Sequence, residues 1–168
     1  MLRSAWTGQP VQHEGPRFSS RDAVVLPRPV QQNGIPIWAG GNAKRAIRRA
    51  VELCDGWCPF PAEGAVTKTA RTDELATIEQ LKEKLTFALD YAQEIGRSEA
   101  LTICMARLGG QTVTGPDADH AQQAVDYYSE LAAAGVTWTT VAIAAPCQAA
   151  FAENVQWFAE NIAGRVTD

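Results

Sequence analysis

The residues with the clearest chemical meaning are Gly40-Gly41-Asn42. They separate an apolar stretch, "IPIWAG" (residues 35–40), from a basic one, "AKRAIRRAVELC" (residues 43–54). A strand that ends on two glycines and opens a helix presents bare backbone N–H groups at the positive end of the helix dipole, which is how proteins cradle a phosphate. Lys44 and Arg45 fall in the first turn of that helix. Two cations there are unfavourable unless an anion comes to meet them. Glycine flexibility in a tight turn is the ordinary reading of Gly-Gly alone; the adjacent cations favour the phosphate. Arg48 and Arg49, one turn on, read as a solvated outer face.

A second cluster, Asp55-Gly56-Trp57, stands where the next strand begins. Asp55 is expected to close a turn through its carboxylate and Gly56 to allow close packing. Trp57 could wall a pocket for a ring-shaped ligand, although a packed core aromatic is the commoner fate of a lone tryptophan. His13-Glu14 has the residue types of acid–base chemistry, but no nucleophile or third partner accompanies it, so a surface pair is expected. His120 receives no role, and Tyr127-Tyr128 reads as helix packing with Tyr128 on the apolar stripe. Gly109-Gly110 follows a strand and would lie at the catalytic end of a barrel. No P-loop, G-x-S-x-G, H-E-x-x-H or G-x-G-x-x-G pattern occurs. No residue is assigned a catalytic role.

The elements that must position these groups follow from periodicity. Residues 1–34, rich in Pro, Gly and Gln, read as an irregular lead-in with a small hairpin, its extended pieces near Gly15–Phe18 and Ala23–Leu26. From Ile35 the text alternates. "IPIWAG" is a buried strand. Asn42 caps a helix with a stripe of Ala43, Ala46, Ile47, Ala50, Val51 and Cys54. "DGWCPF" is a second strand. Leu75, Ile78, Leu81, Leu85, Leu89, Ala92 and Ile95 mark a long helix capped by Thr72 and ended by Gly96. "ALTICMARL" is a third strand, and "PDADHAQQAVDYYSELAAAG" a helix that ends at Gly135. "VTWTTVAIAA" is a fourth strand. Phe151, Val155, Phe158 and Ile162 mark the last helix. Four strand–helix units imply a parallel sheet with helices outside it, either a doubly wound open sheet or half of an eight-unit barrel.

The chain has 168 residues, 46% hydrophobic and 20% charged, with a net charge of −4. That is ordinary for a globular domain and argues against nucleic acid as a general partner. No apolar run suits a bilayer, and the first residues carry no apolar signal segment. Cys54, Cys58, Cys104 and Cys147 form no C-x-x-C pair and only two histidines accompany them. No metal is expected; four reduced cysteines packed as small apolar groups are, and with them the cytoplasm.

The ordered set Trp6-Thr7-Gly8, His13-Glu14-Gly15, Pro27, Pro29-Val30-Gln31, Pro36 to Asn42, Arg48-Arg49-Ala50 and Asp55-Gly56-Trp57 resembles the luciferase-like monooxygenase family. It is most similar to the members that use the deazaflavin coenzyme F420. Glu94–Ile103 resembles that family's helix-to-strand join. The resemblance implies that residues 1–168 are the C-terminal half of a (β/α)8 TIM-type barrel, in an oxidoreductase or monooxygenase using F420 or FMN. It implies that Gly40, Gly41 and Asn42 hold the cofactor phosphate, with Asp55 and Trp57 shaping the pocket. The N-terminal half of the family pattern is not in this sequence. A fragment that meets its other half, or a homo-oligomer, is therefore expected, acting on a small-molecule substrate. Two other readings stay open: a non-catalytic half-barrel module that associates through open strand edges, and an open α/β sheet that binds another phosphate ligand.

Overall fold

The computed structural model of the chain describes residues 1–32, 34–105, 107–109 and 112–166. It divides into two compact units, Met1–Ile37 and Trp38–Asp168. The first unit contains a short helix α1 (Leu2–Ala5) and an antiparallel pair, β1 (Val11–Glu14) and β2 (Ser19–Ala23). The expected hairpin is present, but its strands lie earlier in the chain. Gly15 and Phe18 form the turn, where the Gly15 N–H donates to the Phe18 carbonyl at 3.2 Å, and Ala23 ends the second strand. His13 and Glu14 lie in β1, level with Ser20 and Ser19. Only Val11 of β1 is buried, so no apolar alternation marks these strands in the sequence.

The second unit runs β3 (Trp38–Gly40), α2 (Lys44–Leu53), β4 (Gly56–Cys58), α3 (Ala65–Ala70), α4 (Ile78–Glu94), β5 (Thr102–Met105), α5 (Ala118–Ala133), β6 (Trp138–Thr139) and α6 (Gln148–Asn161). Its four strands lie side by side in chain order, and every pair is parallel. The α/β alternation read from periodicity is therefore the architecture. The fourth strand is shorter than expected: after Thr139 the chain rejoins only through a parallel bridge between Val113 and Ile143.

Side-chain alternation gives the sheet two unlike faces. Trp57, Ile103 and Met105 point to one face, and Ile47 and Val51 of α2, Leu81, Leu85 and Ala88 of α4, and Val125, Tyr128 and Leu131 of α5 join them in a single core. The register places Trp38, Gly40, Gly56, Cys58, Thr102, Cys104 and Trp138 on the other face. There Trp38 and Trp138 meet edge-to-face, with ring centroids 5.9 Å apart, although they stand on the two outer strands. Trp38 reaches across because Gly56 beneath it has no side chain; a Cβ at Gly56 would lie 2.6 Å from Trp38 Cδ1.

Several helix signals fall differently from expectation. Thr77, not Thr72, caps α4, in a capping box with Gln80. Leu75 precedes the helix and pairs with Ala62 instead, fully buried. Leu89 is exposed, because α4 packs through Leu81, Leu85 and Ala88. Gly96 does follow α4 with a left-handed φ of +69°. Asp117 caps α5, its carboxylate accepting from the N–H groups of Asp119 and His120. In α6, Phe151 and Val155 are exposed, and the face turned inward carries Asn154, whose amide donates to the Ala144 carbonyl at 2.9 Å.

Arg97 ties the α4–β5 join to α2. Its guanidinium donates to the Val51 and Cys54 carbonyls at 2.6 and 3.0 Å. These belong to the end of α2, where a cation complements the helix dipole and satisfies otherwise open carbonyls.

Candidate functional site at the carboxyl edge of the sheet

In a parallel sheet the strand ends that lead into helices all lie along one edge, and ligands collect there. Gly40-Gly41-Asn42 stands on that edge. Gly41 has φ +113°, a conformation L side chains rarely adopt, and a Cβ there would come within 2.9 Å of Ala46 Cβ. The turn thus requires glycine on both counts. The next residues open α2; the Ala46 N–H already donates to the Ala43 carbonyl at 2.7 Å, which leaves the N–H groups of Lys44 and Arg45 as the ones a helix start presents outward.

Asn42 does not cap α2. Ala43 is the N-cap and makes no side-chain bond. Asn42 is instead fully buried. Its amide nitrogen donates to the carbonyls of Phe60 and Asp73 at 2.9 and 3.1 Å, and its amide oxygen accepts from the Phe60 N–H at 3.1 Å. The Asn42 backbone N–H donates to Thr72 Oγ1 at 2.6 Å. Thr72 therefore serves the turn rather than α4. Asn42 braces the β3–α2 turn against the segment after β4, so its own donors are spent internally.

Trp57 is buried in the core, and its indole N–H donates to the Gly41 carbonyl at 2.7 Å. It holds the glycine turn from below and presents no surface to an open pocket. Asp55 lies at the opposite end of the strand. It precedes the Trp38–Gly56 pair, whereas Gly41 follows the Gly40–Cys58 pair. Four residue steps separate the two levels, about 13 Å at roughly 3.3 Å per residue. Asp55 and Gly41 thus do not share one site.

Lys44 also departs from expectation. Its ammonium sits 5.2 Å from the centre of the Phe87 ring, and the Arg48 guanidinium lies over both Phe87 and Tyr91. These cations lie against aromatic faces on α4. The Tyr91 hydroxyl bonds to Glu52, which raises its pKa.

Sequence reasoning passed over Arg107. It follows β5 on the same edge, half-buried, and its guanidinium donates to Thr112 Oγ1 at 2.8 Å. No carboxylate pairs with it among the described residues. Its signal was the basic residue just before Gly109, since a half-buried arginine at a strand's carboxyl end is suited to an anion. Gly109 has φ +70°; Gly110 lies outside the described residues. Next to this loop a cleft of about 150 Å³ is lined by Gly109, His120 and Tyr127. Burial raises the Tyr127 pKa, and its oxygen accepts from the Leu108 N–H at 3.1 Å. A larger hollow of about 700 Å³ is formed by first-unit residues, among them Arg3, Arg28 and the motif residues Trp6, Thr7 and Pro29-Val30-Gln31; none of the candidate cofactor residues lines it.

Among the described residues no group of three or more metal-ligating side chains gathers. No described helix is long and apolar enough to cross a membrane.

The profile of the luciferase-like monooxygenase family matches residues 1–87. An F420-dependent glucose-6-phosphate dehydrogenase of Microbacterium testaceum is 33% identical over 90 residues, 54% of this chain and 22% of that protein. In structure the chain is similar to an F420-dependent secondary alcohol dehydrogenase solved with an F420–acetone adduct (TM-score 0.67, 14% identity, 99% of this chain and 59% of that one). It is likewise similar to the monooxygenase RslO1 of Streptomyces bottropensis (TM-score 0.65, 17% identity, 99% and 59%). The coenzyme F420-dependent tetrahydromethanopterin reductase of Methanopyrus kandleri gives a TM-score of 0.67 at 14% identity, over 99% and 61%. The chain spans about a fifth of the curated relative and about three-fifths of the solved structures.

Proposed function

The chain belongs to the luciferase-like monooxygenase family, and from that premise we propose that it is the C-terminal half of a (β/α)8 barrel contributing the phosphate end of a deazaflavin or flavin site in an oxidoreductase. The observation that carries this reading is the Gly40-Gly41 turn. It combines a left-handed glycine at a carboxyl strand end with the open N–H groups of a helix start. Trp57 and Asn42 hold that backbone rigid from beneath. Rigidity of this kind is what a preorganised anion site needs.

The assignment of F420 ahead of FMN rests on likeness to F420-dependent proteins. When bound, the deazaflavin would supply hydride transfer at its ring, or a flavin oxygen activation, and the chain's own part is to bind and orient it. Gly40 and Gly41 would receive the phosphate through backbone N–H groups, Asn42 and Trp57 would fix the turn, and Arg107 offers charge along the same edge. Asp55 belongs to the structural end of the sheet.

The test compares each cofactor with its phosphate-free form: F420 against the bare deazaflavin ribitol, and FMN against riboflavin. The reading expects at least about tenfold tighter binding of the phosphorylated form, about 1.4 kcal/mol. Equal affinities would remove the turn from the cofactor site.

A second reading is favoured by one observation. β3 and β6 are both edge strands, and Trp138 on β6 is 61% exposed. A module that associates through these edges, with a second copy or with the other half of a barrel, would show a concentration-dependent mass in light scattering without any cofactor requirement.

A further inference from the structure

The face of the sheet turned away from its helices carries two thiols that the cofactor reading does not use. Gly56 pairs with Thr102 and Trp57 with Ile103 in a parallel ladder, so the next pair in register is Cys58 with Cys104. Neighbouring strands lie about 4.8 Å apart, and alternation turns both side chains to the same face. The register thus sets the two thiols side by side across adjacent strands. Both are half-buried and free.

The surroundings are soft and uncharged. Gly40 flanks Cys58 on one side and Trp138 flanks Cys104 on the other, while Trp38, Gly56 and Thr102 occupy the adjoining row. No carboxylate or ammonium stands among these positions. Two thiolates side by side repel, so protons keep at least one of them neutral. A cation that prefers sulfur removes that conflict by taking the place of the protons. Hard cations and zinc find no further ligands here, because no group of three or more metal-ligating side chains exists among the described residues. Thiolate pairs select soft monovalent ions such as Cu(I).

From this juxtaposition the geometry points to Cys58 and Cys104 as a two-thiolate site for a soft monovalent cation of the Cu(I) class. Two protons leave as one cation enters, and no electron is transferred. Trp138, level with Cys104, stands beside the bound ion.

The test is an anaerobic titration of the full chain with Cu(I), read by competition against a chromophoric Cu(I) chelator and by tryptophan fluorescence. Cys54→Ser/Cys147→Ser serves as the background, removing the other two thiols. One equivalent should bind, with quenching of the fluorescence. Cys58→Ser and Cys104→Ser should each weaken binding by more than the roughly 10- to 100-fold that loss of an outer-shell partner brings. Where a serine variant loses its far-ultraviolet circular dichroism, the alanine variant replaces it. Binding that survives either substitution in a folded protein, or no binding by the background protein, would overturn the site.

Discussion

The two faces of the parallel sheet are built from the same strands and have opposite characters. On the helix-covered face, Trp57, Ile103 and Met105 are almost wholly buried, and even the indole N–H of Trp57 has an acceptor in Gly41. On the other face, Trp38 and Trp138 keep 38% and 61% of their surface, and the space between them is filled by glycine, threonine and thiols. Strand residues alternate between the faces, so a single step along the chain moves a side chain from core to partial exposure. Stability therefore resides on one face, while the other is free to carry binding chemistry.

The largest test of this division is Trp57→Ala against Trp138→Ala. The first should cost about 3–5 kcal/mol in urea unfolding, the second about 0.5 kcal/mol or less, as for an exposed position. Equal losses would break the comparison. Gly56→Ala probes the open face where it is tightest. Its Cβ would meet the Thr102 carbonyl at 2.9 Å as well as the Trp38 ring, and backbone cannot give way cheaply. A loss of about 1–3 kcal/mol is expected, with the near-ultraviolet signal of the tryptophan pair altered. The thiols sharpen the contrast through pH. The Cys58 pKa is raised from 9.0 to about 11, so its contribution is complete below the unfolded value and is lost as pH climbs through that window. The melting temperature should fall between about pH 9 and 11, more for the wild type than for Cys58→Ser. A similarly small effect is expected outside the core of the covered face. Lys82 and Glu130 join α4 to α5 at 3.1 Å, both half-exposed, and Lys82→Ala should cost about 0.2–1 kcal/mol at low salt.

The helices were legible because their apolar residues recur at three and four, and α2 buries Ala46, Ile47, Ala50 and Val51 as that spacing requires. Strand existence was legible too, but not strand length: "VTWTTVAIAA" has the composition of one long strand, yet only Trp138 and Thr139 pair with β5. In α6 the spacing of Phe151 and Val155 pointed inward, but the buried position is Asn154, which trades apolar area for a bond to Ala144. The Gly40-Gly41 turn was readable from residue type alone. The work of Asn42 was not, since its partners Phe60, Thr72 and Asp73 lie 18 to 31 residues away. The separation of Asp55 from Gly41 was equally hidden, because it depends on strand register, which short apolar runs do not specify.

The Asn42 brace also has a kinetic consequence. Loops at strand ends usually open on their own, at little cost in free energy. Here the Asn42 amide is bonded to Thr72, its side chain to Phe60 and Asp73, and the preceding carbonyl to the central tryptophan of the core. This turn has no hinge of its own. The Asn42 amide proton should exchange with deuterium only when the whole second unit unfolds, as slowly as protons in the middle of β4.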